Sequence, residues 1–260
     1  MVPGAPTLTA QRTLRRRRVA VSVRVAAVVT LLASAVLGIQ AAWSRWSVCF
    51  VGGEPPVAGL PEDGAGGCVA LQNHLYDYTF PTEPWVPIAD AAQREGLSLM
   101  ALGVAVLLVS LSVVDRWSVS LPTVAGGAAI GATWLAAGVP TLQSGLAGKP
   151  VDVGPPGAVA ALILLVPLVP VGLAVLSWRR AAAGFDPDGR LLAVFWLAMV
   201  ATHPLAEFFI TLTLWASHDS SPLSGFFRCA VVAVGACTVA ATLVPAHRRP
   251  RLPRRSGAGA

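Results

Sequence analysis

Long apolar runs alternate with short polar breaks along most of the chain. Val25–Ala42, Gly96–Val114, Ser118–Val139, Gly157–Leu176, Leu191–Trp215 and Phe226–Val244 carry few charges. Each is about 18 residues or longer, enough for a helix to cross a hydrocarbon core. The pattern predicts an all-α polytopic membrane protein. Its core is a six-helix transmembrane bundle, with an irregular extracytoplasmic loop after the first helix. Residues 1–18 read as a basic cytoplasmic N-terminus, 19–43 as the first transmembrane helix and 44–95 as the extracytoplasmic loop. Residues 96–244 hold helices two to six, and 245–260 a basic, disordered cytoplasmic tail.

The first run resembles a signal peptide in having a basic start and an apolar core. That core is longer than an ordinary h-region, and no small-x-small cleavage site follows it, so an uncleaved span is expected. The loop after it is rich in Pro and Gly and carries Glu54, Glu62, Asp63, Asp77, Glu83 and Asp90. It is too polar to enter lipid. Asp186-Pro187-Asp188-Gly189 reads as a turn between the fourth and fifth spans.

Composition agrees. The chain is 55% hydrophobic and 12% charged, with a mean hydropathy of +0.66. A water-soluble domain needs about 25% charged residues to cover its surface. The net charge of +6 raises the question of nucleic acid. The arginines, however, flank apolar runs, which is a positive-inside pattern, and no nucleic-acid partner is expected. Arg12, Arg15, Arg16, Arg17, Arg18, Arg24, Arg116, Arg179, Arg180, Arg190, Arg248, Arg249, Arg251, Arg254 and Arg255 fall on one side of six alternating spans. Only Arg45, Arg94, Lys149 and Arg228 fall on the other. Both ends are therefore expected in the cytoplasm. The excess of arginine over lysine, with abundant alanine, suggests GC-rich coding and the plasma membrane of a bacterium.

The chemistry-bearing residues form four groups. In the fifth span, His203 and Glu207 are four apart, and Thr211 and His218 follow on the same side of a continuous helix. Ionisable groups at this depth cost several kcal/mol unless paired or wetted. The pattern suggests an intramembrane proton or cation relay; the alternative is a structural pair that bonds a neighbouring helix. Pro204 would kink this helix and free a carbonyl. In the loop, Cys49 and Cys68 suit a disulfide in an oxidising compartment. His74, Tyr76, Asp77, Tyr78 and Trp85, with His218 and Asp219, are candidates for binding a ligand at the outer face. They equally suit an interfacial aromatic belt. Gly127 and Gly131 form a small-residue packing face on the third span, and Pro167 and Pro170 kink the fourth.

No phosphate-binding loop, dinucleotide fingerprint, zinc-protease motif or nucleophile elbow occurs. No catalytic residue, cofactor or metal site is assigned, and an enzyme is the less favoured class. Transport, or a transport-accessory role, is the leading expectation. A non-catalytic subunit or assembly factor comes second. An outer-face membrane enzyme using His74, Asp77, Glu83 or Asp219 comes third. The expected partners are the lipid bilayer and a membrane protein or second copy of this chain.

Overall fold

The computed structural model describes residues 8–60, 64–113, 117–152, 156–215 and 219–244. Among them it is all-helical: α1 (Leu8–Val51), α2 (Gly64–Leu71), α3 (Ala91–Leu111), α4 (Trp117–Ala147), α5 (Pro156–Ala182), α6 (Gly189–Ala201), α7 (Pro204–Leu214) and α8 (Phe226–Ala241). Three described helices are long and apolar enough to cross a membrane, and a fourth span results if the bent pair α6–α7 counts as one.

Six helices close a circuit. α1 packs on α3 and α8, α3 on α4, α4 on α5, α5 on α6, and α6 back on α8. The core between them holds Leu31, Leu102, Ile130, Trp134, Phe195, Trp196 and Met199. Apolar residues also cover the outside. Val25, Val29, Leu32, Val36, Ile39 and Trp43 form an exposed stripe along α1, whose opposite face buries Ala27, Ser34, Ala35, Ala41 and Ala42. Small and polar groups between helices, with large aliphatics outward, are what a lipid solvent favours.

The α3–α4 seam shows why. Gly103 of α3 opposes Gly131 of α4 and Gly96 opposes Gly138, while Gly127 meets Ser110 and Gly145 meets Gln93. A Cβ on Gly103 would lie 2.6 Å from the Gly131 carbonyl, and one on Gly138 would lie 2.7 Å from that of Gly96. The backbones themselves are in contact, so dispersion replaces side-chain interdigitation. Between α1 and α3, Ser34 and Ser98 each donate to the other's carbonyl at 2.8 Å. At one end of the bundle, Arg24 of α1 lies 2.6 Å from Asp188, just before α6. At the other, the loop end, residues 52–60 and 64–90 pack over α1 and the start of α3.

Several boundaries differ from the sequence expectation. α1 continues past residue 43 to Val51, because Trp46 and Val48 are buried under the loop and Arg45 has partners there. The loop is not wholly irregular: it contains α2 and a 3-10 turn, His74–Tyr76, capped by Asn73. α3 starts at Ala91 rather than at Gly96. The fifth span is not one helix, for it turns by 76° between α6 and α7. Pro167 and Pro170, as expected from the sequence, lie inside the fourth long helix, α5. The N-terminal seven residues, His218 and the tail 245–260 lie outside the described residues.

Cys49, near the end of α1, is bonded to Cys68 in α2. This closes a loop whose entropy in the open chain is worth about 3 kcal/mol. Reduction, or Cys68→Ser, is therefore expected to speed limited proteolysis within residues 52–67 by about tenfold or more. Peptide mapping with and without reductant reads this directly.

Candidate functional site

The break between α6 and α7 sets up the site. Pro204 has no N–H for an α6 ladder and excludes helical geometry from the residue before it. His203 accordingly turns extended (φ −64°, ψ 134°), and its Nδ1 accepts the Leu205 N–H at 3.2 Å. Proline thus opens α7 at its first turn, where its missing donor costs nothing. It starts a new helix rather than kinking a continuous one; His203 caps that helix, and Glu207 and Thr211, each four residues further on, are buried with it.

The new helix direction carries Glu207, in the first turn of α7, into the bundle. There it meets Arg228, near the start of α8, whose Nη1 is 3.7 Å from Glu207 Oε2. Arg228 Nη2 is 2.6 Å from Oε1 of Glu95, one turn into α3. Glu95 is fully buried, and Arg228 and Glu207 are nearly so. Residues 95, 207 and 228 thus form an ionic triad from three helices, inside a bundle otherwise walled by apolar groups. A guanidinium suits this position because its planar fork can face two carboxylates at once.

Neutral donors complete the shell. Thr79 Oγ1 donates to Glu95 Oε1 at 3.2 Å, and the Gly225 N–H donates to Glu207 Oε1 at 2.5 Å. Gly225 caps α8 with φ +85°, and an added Cβ would collide with the Tyr78 hydroxyl. Gly225→Ala is therefore expected to destabilise the protein by about 1–3 kcal/mol through left-handed strain, before the clash is counted. Thermal unfolding in mild detergent measures it. Tyr78 roofs the triad from the loop. Burial first, and then the Glu95 carboxylate, push its phenol well above the ordinary value, so it stays protonated.

A second set of bonds straps this roof down. Arg45 of α1 is buried and donates to the carbonyls of Leu71 and Asn73, and its Nη1 lies 2.6 Å from Asp77 Oδ1. Its guanidinium also stacks 4.2 Å above the Trp46 ring. Asp77 in turn holds His74 Nδ1 at 2.8 Å and accepts from Ser220 Oγ at 3.2 Å. The Trp85 indole donates to the Asp77 carbonyl at 2.7 Å. Ser221 Oγ donates to the Thr211 carbonyl, pinning the α7–α8 linker to α7.

The sequence candidates are therefore distributed as follows. Glu207 is in the triad, Tyr78 above it, and His203 at the cap that creates the bend. Thr211 is buried beside the linker. Tyr76, Asp77 and Trp85 brace the loop, while the His74 side chain is mostly exposed. Asp219 is half-buried in the linker. Gly127 and Gly131 face α3. Among the described residues no group of three or more His, Cys, Asp or Glu could hold a metal ion. Glu95 and Arg228 were not among the candidates. They were legible only as opposite charges at the starts of two apolar runs, both at the same end of the spans. The chain matches no protein-family model, no curated protein and no solved structure.

Proposed function

We propose that the chain is a six-span plasma-membrane protein of a bacterium, with both termini in the cytoplasm, that serves transport or a transport-accessory role. Its polar site is the Glu95–Arg228–Glu207 triad. The observation carrying this reading is that one member of a buried ionic triad sits on a helix broken from its predecessor by 76°. Broken helices and buried charges both raise the energy of a bundle in lipid, and they recur together where ions or solutes cross. The triad joins three helices, so a change in its charge alters how α3, α7 and α8 hold together.

Topology fits the same picture. The closed circuit of α1, α3, α4, α5, α6 and α8 is compatible with six passes, with α6 and α7 taken together as one, and the arginine bias supports cytoplasmic ends. Trp43, Phe50, Phe226 and Trp215 form linked ring contacts at the loop end, where an interfacial belt belongs.

The test is Glu207→Gln, which keeps size and hydrogen bonding but removes the charge. In vesicles screened against a panel of solutes under an imposed proton or sodium gradient, the variant is expected to insert normally and lose gradient-driven uptake. Undiminished uptake would remove Glu207 from the site.

One observation favours a second reading, that of a subunit or assembly factor. The short helix α7 leaves Leu205, Phe209 and Leu214 more than half exposed. A stoichiometric membrane partner recovered in mild detergent, and lost on Phe209→Ser, would favour it over transport.

A further inference from the structure

Charge at the triad does not balance. Glu95 and Glu207 bring two carboxylates and Arg228 one guanidinium, all deeply buried. Among the described residues no second arginine or lysine faces them; α7 adds the buried imidazole of His203, which caps the helix one turn before Glu207. From the loop come the protonated phenol of Tyr78 and the neutral hydroxyl of Thr79. α8 adds Cys229, whose Sγ lies toward Gly38 of α1 and Ser98 of α3. Arg45, the next guanidinium, is paired with Asp77. The Gly225 N–H and the positive end of α7 offset part of the charge on Glu207, but they do not reach Glu95.

An independent observation locates the deficit. Glu95 Oε1 takes the Thr79 hydrogen bond and the Arg228 ion pair, whereas Oε2 is fully buried with no hydrogen-bond partner among the described residues, and Arg228 Nη2 also lacks a hydrogen bond there. A carboxylate oxygen in that state has been stripped of water without replacement, which costs far more than a lost neutral bond.

We infer that the triad binds one exchangeable monovalent cation, a proton or an alkali-metal ion, at Glu95 Oε2. This rests on the transport reading for its purpose, as the coupling ion, but not for its chemistry. The incoming charge competes with Arg228 for Glu95. Arg228, now 2.6 Å from Glu95 and 3.7 Å from Glu207, shifts its pairing toward Glu207. Occupancy on α3 is thereby relayed to the broken helix α7.

The test uses the full chain in lipid nanodiscs. Sodium chloride is titrated against choline chloride at constant ionic strength, with the fluorescence of the eight tryptophans as readout. In parallel, infrared spectra follow the protonated-carboxyl band between about pH 5 and pH 9. A saturable sodium response that Glu95→Gln weakens by about tenfold or more identifies an alkali ion. A titrating carboxyl band that Glu95→Gln abolishes identifies a proton. Either result supports the site. If Glu95→Gln cannot be purified, Thr79→Val, which removes the donor to Glu95, carries the same comparison. Wild-type protein showing neither signal, or signals unchanged in the variant, overturns the inference. Binding without flux would refute transport and leave this site standing; flux without either signal would do the reverse.

Discussion

Replacing Arg228 with leucine is expected to destabilise the protein by about 3–5 kcal/mol. The guanidinium is buried, and each of its two carboxylate neighbours is buried with it. Removing the shared cation leaves like charges facing each other in a medium that screens them poorly. The size of the effect belongs to the stranded carboxylates rather than to the pair itself. A sharper expectation follows. The combined change Glu95→Gln, Arg228→Met, Glu207→Gln should recover most of the loss, because an apolar or neutral replacement of an entire buried ionic group is often close to neutral. Reversible unfolding of the reconstituted protein reads both. An Arg228→Leu variant as stable as the parent would mean that the carboxylates are not held as described.

The second large effect lies in the glycine seam. Gly103→Val and Gly138→Val are each expected to cost about 3 kcal/mol, at the upper end of overpacking, because the obstacle is backbone and not a side chain that can rotate away. α3 and α4 would have to separate. That would also move Glu95, which lies between Gly96 and the loop. Gly172→Ala in α5 provides the contrast. Nothing lies within 4 Å of the added methyl, and a helical Gly→Ala change gains up to about 1 kcal/mol from propensity. A melting series in one detergent should therefore lower the first two variants and leave the third level or raised.

What the sequence could disclose follows from range. Apolar runs report on solvent locally, so the long helices were legible in the chain itself. The Gly127-x-x-x-Gly131 spacing marks a small face, though not which helix meets it; that required Gly96 and Gly103 on α3. The triad was hidden for the same reason. Its members are far apart in sequence, and Arg228 alone reads as one of the few positive charges at the outer ends of the spans. His203 illustrates a different failure. Helical spacing placed it with Glu207 and Thr211, and all three are buried, but the proline one residue later makes His203 the cap of a new helix rather than a mid-helix residue. The Thr202-His203-Pro204 run held that signal. Loop residues such as Tyr78 resist sequence reading most, since nothing local tells a buried phenol from an interfacial one.

The account as a whole depends on an ionic triad lying inside a membrane bundle whose passes alternate. Single cysteines placed at Arg12, Phe185, Arg251, Gly53, Lys149 and Asp219, in a background that keeps the Cys49–Cys68 bond, can be labelled in sealed vesicles with an impermeant maleimide. The account predicts that the first three react only from the cytoplasmic side and the last three only from the opposite side. Termini that label from opposite faces, or all six positions labelling from one, would contradict it.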